Sequence, residues 1–89
     1  MNKIYNYTLE FLDKLAIKYE VHIFQAEIRM VDIWHIDRFY VLQFEKDFVG
    51  FSEINKENPG FDTIPDERFT NVEEFKRKLE TTFVAHNTE

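Results

Sequence analysis

Between Met30 and Glu53 the chain offers three short runs rich in aromatic and β-branched residues, separated by breaks of only a few residues. No other feature of the sequence constrains the fold as tightly. Met30 to Ile36 alternates Val31, Ile33 and His35 with Asp32, Trp34 and Ile36, the period of a pleated strand. Asp37-Arg38 supplies a short turn, Phe39 to Phe44 a second strand, and Phe48 to Glu53 a third beyond the polar Glu45-Lys46-Asp47. Breaks this short join antiparallel neighbours, because a parallel crossover needs a dozen or more residues. Gly50, in the middle of the last run, marks a bulge or a close approach of backbone.

The flanks read as helices. Leu9, Leu12, Ala16 and Tyr19 form a stripe widened by Phe11 and Leu15, while Glu10, Asp13, Lys14 and Lys18 take the other side. With Asn6 as a cap, the spacing predicts a helix over 6–19. Residues 20–29 fit two periods. Val21 and Ile23 alternate with His22 and Phe24 as in a strand, yet Ile17, Val21, Phe24 and Ile28 also fall at helical spacing. The β-branched and aromatic content favours a strand. At the other end, Thr70 with Glu73, or Asn71 with Glu74, makes a capping box. Val72, Phe75, Leu79 and Phe83 then run along one helix face, and 84–89 form a frayed tail. The expected fold is α+β in one domain over 1–89: an N-terminal helix, an antiparallel meander of three to four strands, and a C-terminal helix packed on the sheet.

Both helices most simply cover one sheet face, but the strands are apolar on both. Phe39 and Val41 point one way, and Tyr40, Leu42 and Phe44 the other, followed by Phe48, Val49 and Phe51. A sheet wet on one side alternates apolar with polar. Either the helices divide between the faces, or the second face is buried on another chain. The latter makes Trp34, Tyr40, Leu42, Phe44 and Phe48 a candidate homodimer or small-ligand face, with Trp34 as its anchor.

Composition excludes more than it assigns. An 89-residue chain needs a dense core, which its 17% aromatic content supplies. Without cysteine there is no disulfide framework, Cys-ligated zinc or thiol nucleophile. The first residues form no unbroken apolar signal region, and no apolar run approaches the roughly 20 residues a membrane span needs, so the expected location is cytoplasmic. His22, His35 and His86 lack metal-ligand spacing, and Ser52 sits in no nucleophile elbow. The loop acids lack calcium-loop spacing, and two glycines leave no phosphate-cradling loop. The expectation is no catalytic residue, no metal and no cofactor. A small enzyme using His35, Asp32 or the loop acids is the weaker alternative.

The net charge is −6, and most of it lies in one stretch. Within 45–67, Glu45, Asp47, Glu53, Glu57, Asp62, Asp66 and Glu67 face only Lys46 and Lys56. Such a segment repels phosphate backbones and attracts basic proteins. The connection from Asn55 to Thr70 holds most of it, with a type II turn at Asn58-Pro59-Gly60 and a helical turn starting at Pro65-Asp66-Glu67. Phe61, Ile64 and Phe69 pin it to the core. The pattern points to a protein-binding module, such as a small acidic inhibitor or immunity-type protein. Its expected contacts on a basic partner are Glu53, Glu57, Phe61, Asp62, Asp66 and Glu67.

Overall fold

The computed structural model describes residues 2–24, 28–54 and 66–84. Helix α1 (Asn2–Lys14) leads into strands β1 (Lys18–Phe24), β2 (Ile28–His35), β3 (Arg38–Phe44), β4 (Val49–Ile54) and β5 (Glu67–Phe69), and helix α2 (Val72–Phe83) follows. The strands pair only with their sequence neighbours, all antiparallel, in the order β1-β2-β3-β4-β5. The α+β meander between two helices is therefore present, with five strands rather than three or four.

Helix α1 lies further toward the N-terminus than the expected 6–19. Its buried line is Ile4, Thr8 and Leu12, one residue per turn. Thr8 fits this apolar line because its hydroxyl donates to the Ile4 carbonyl at 2.7 Å. The helix stops where Ala16 turns left-handed (φ 56°). The Ile17 N–H then bonds the Leu12 carbonyl and the Ala16 N–H the Asp13 carbonyl, which is a Schellman closure. Ala16 and Tyr19, expected on the helix, thus belong to its stop and to β1. Over residues 18–24 the strand period prevails, as the β-branched content implied.

The β2–β3 turn is Ile36-Asp37, one residue earlier than expected. His35 pairs with Arg38, and both turn residues have positive φ (49° and 60°), the mark of a type I′ hairpin. Gly50 makes no bulge, since the β3–β4 register runs unbroken from Phe39↔Ile54 to Phe44↔Val49. Strand β5 replaces the helical turn expected at Pro65-Asp66-Glu67. A lone turn closes few bonds for its ordering cost, whereas the β4 edge offers a ladder that pairs Val49 with Phe69 and Phe51 with Glu67. The turn read at Asn58-Pro59-Gly60, with Phe61, Ile64 and Pro65, lies outside the described residues, as do 85–89.

Helix α2 is capped by Asn71, the second of the two expected caps, whose side chain accepts from the Glu74 N–H at 3.0 Å. Phe75, Leu79 and Phe83 are its buried line. Both helices lie on one face of the sheet. Tyr5 of α1 and Phe75 of α2 each meet Phe44 edge-on, and Phe83 meets Tyr40 in the same way. Val31, Ile33, Tyr40, Leu42, Phe44, Val49 and Phe51 fill this layer with exposures of 4% or less. The helices therefore do not divide between the faces. Tyr40, Leu42 and Phe44, expected on a second, uncovered face, are the covered ones.

Candidate functional site on the open face of the sheet

Strand alternation decides what the uncovered face presents. In register across it lie Lys18, Trp34, Phe39 and Ile54, then Glu20, Asp32, Val41 and Ser52, then His22, Met30, Gln43 and Gly50. Among the described residues no further element packs on this side.

The first row is apolar. The Trp34 and Phe39 rings lie 5.3 Å apart, and the Lys18 ammonium stands over the indole at 5.2 Å. Trp34 remains 37% exposed in the middle of a regular strand. Cross-strand aromatic pairs stabilise a sheet, and an exposed pair is also a ready-made contact surface.

The second row carries charge. His22 Nε2 lies 2.9 Å from Asp32 Oδ2 and 3.4 Å from Glu20 Oε1. These three ligand atoms all fall within 4.8 Å of one another. Pairing of β1 with β2 makes the cluster, because Glu20 sits opposite Asp32 and His22 one pleat away. An imidazole with two carboxylates can hold a hydrogen-bonded proton or contribute ligands to a divalent cation. Sequence spacing within one segment could not reveal it; the β1–β2 register could have.

At the far side of the sheet Arg68 of β5 stands opposite Gly50, and its guanidinium covers the Phe48 ring at 4.1 Å. Phe48 is thereby buried although it precedes β4 on the open side. A side chain at position 50 would stand in the path of Arg68, so the glycine marks a close approach rather than a bulge.

The expected acidic contacts separate. Glu53 meets Arg38 at 3.2 Å, and its backbone N–H donates to Asp66 Oδ2. The Asp66 N–H in turn donates to the Ser52 hydroxyl, which is the role that the single serine takes. Glu67 pairs with Lys78 of α2 at 2.8 Å, while the same ammonium lies 4.9 Å over the Phe51 ring. That contact fastens helix to sheet. Glu57, Phe61 and Asp62 lie outside the described residues. Glu53 stands opposite Tyr40 and so faces the helix side, while Asp66 lies at the end of the sheet where Ile54 continues the Trp34–Phe39 row.

Of the five residues expected on a dimer or ligand face, Trp34 lies on the open side and Phe48 under Arg68, while Tyr40, Leu42 and Phe44 are core. Burial raises the Tyr40 phenol above its ordinary pKa, helped by Glu53 and opposed by Arg38 and Lys78. His35 points to the helix side against Phe83, whereas Asp32 is on the open side, so these two cannot act in one site. His86 lies outside the described residues. No family, curated protein or solved structure matches the chain. No described helix is long and apolar enough to cross a membrane.

Proposed function

We propose that this chain works by binding a protein rather than by catalysis, and that its contact surface is the open face of the sheet centred on Trp34 and Phe39. One observation carries the reading: both helices pack on one side, which leaves an aromatic pair on the other. Rings that are preorganised on a rigid strand give contact area at low entropic cost. At the same end of the sheet the exposed Asp66, part of the acidic segment 45–67, is held against β4 by the Ser52 hydroxyl and the Glu53 N–H. The net charge of −6 favours a basic partner, such as the target of a small acidic inhibitor or immunity-type protein.

The test is capture of a partner at low and high salt, followed by affinities for two variants. Trp34→Ala is expected to weaken binding by about 2 kcal/mol, roughly thirtyfold, as buried interface tryptophans do. Reversing the charge at Asp66 is expected to slow association and flatten its salt dependence. An affinity unmoved by both changes removes the reading.

A further inference from the structure

Among the described residues the open face is one surface that no element covers; the outer edge of β1 is another. This strand runs over seven residues at the sheet margin with unbroken register to β2. Its interior has no proline, no bulge and no lysine, and Glu20 is its one acidic residue. Ile23 and Phe24, near its end, are 64% and 51% exposed.

We propose that β1 pairs antiparallel with β1 of a second copy of this chain, about a twofold axis at Val21. The side-chain chemistry selects both the partner and the register. Centred on Val21, the pairing sets Glu20 opposite His22 of the second copy, Tyr19 opposite its Ile23, and Lys18 opposite its Phe24. Each match is complementary: acid with base, ring with aliphatic, ammonium with ring. Moving the axis to Glu20 brings two glutamates face to face, and moving it to His22 stacks two histidines and sets Glu20 against Phe24. A one-residue slip would put one copy's helices on the wrong side of the sheet. Val21 is the centre that pairs all seven residues without a like-charge clash. The outcome is a ten-stranded sheet with all four helices on one side and both Trp34–Phe39 pairs on the other. This inference rests on the edge and not on the binding role of the open face.

The experiment is the solution mass by sedimentation equilibrium from about 10 μM to about 1 mM, the range in which small interfaces assemble. The mass is expected to rise toward twice that of one chain. Ile23→Lys, a charge on an exposed edge, is expected to weaken self-association at least about tenfold, and Trp34→Ala is expected to leave it intact. Amide hydrogen exchange of the wild-type chain gives a second readout, in which residues 18–24 gain protection as concentration rises. A monomeric mass throughout the range overturns the proposal, as does growth beyond a dimer. A dimer that survives Ile23→Lys but is lost in Trp34→Ala also overturns it and moves the interface to the open face. If Ile23→Lys does not fold, a dimer with no gain of protection over 18–24 decides against it.

Discussion

The Phe83 ring meets the Tyr40 ring edge-on at 5.2 Å, which ties the last turn of α2 to the central strand. Phe83 also lies edge-on to His35 at 5.3 Å and is fully buried. Phe83→Ala removes both ring contacts and leaves a void, so a loss of about 3 kcal/mol is expected in urea unfolding. Glu80→Ala, exposed on the same helix, is expected to change stability by less than about 0.5 kcal/mol.

The buried Tyr40 phenol gives a pH dependence. Its pKa is raised above 10.0, so the folded state holds the proton more tightly than the unfolded chain does. The associated stability is complete below about pH 10 and is lost as pH rises through the raised value. The same sign applies to Tyr7, raised chiefly by burial, and to Tyr19, raised chiefly by its hydrogen bond to Asp13. Tyr40→Phe is therefore expected to shallow the alkaline fall in stability without abolishing it, as read by unfolding midpoints between about pH 8 and pH 11.

Ile36 is a β-branched residue at φ 49°, and the left-handed region costs such a residue about 1–2 kcal/mol. Its side chain is 62% exposed, so little packing offsets that cost. Ile36→Asn is expected to stabilise the chain by about 1 kcal/mol and to raise its melting temperature, since asparagine suits this turn position. An unchanged or lower melting temperature would show that the Ile36 side chain is held by contacts that outweigh the strain.

Gly50 offers a test in which the sign is decisive. Strand propensity alone favours Gly50→Val. The Arg68 guanidinium, however, passes this position to cover Phe48. Valine is expected to lift it away and to destabilise the chain by about 1–3 kcal/mol in urea unfolding.

The sequence reveals those elements whose period is enforced by burial on one side. Helix α2 has Phe75, Leu79 and Phe83 in step with its cap, and β2 to β4 have alternating rings, so both are readable. Helix α1 is displaced because its inward line includes Thr8, whose hydroxyl is satisfied within the helix and leaves no hydrophobic signal. Its end is hidden for a related reason: Ala16, an ordinary helix former, adopts the left-handed cap usually given to glycine. Strand β5 is only three residues long and owes its state to the β4 edge. Parity separates Phe39 and Val41 from Tyr40, Leu42 and Phe44, but no pattern within the strands says which set the helices cover. The Glu20–His22–Asp32 cluster depends on β1–β2 register, which appears only when two segments are laid side by side.

Nearest-neighbour strand order has a kinetic consequence. Each ladder between β1 and β4 closes over a turn of a few residues, so the sheet can zip up by successive hairpins, each on a microsecond scale. One contact that spans much of the chain is helix against helix, where the Lys76 ammonium of α2 covers the Tyr7 ring of α1 at 4.6 Å. Closing so long a loop is the natural last step of folding, and a hairpin core without its second helix is the state in which the aromatic layer of the sheet would be most open to a wrong partner.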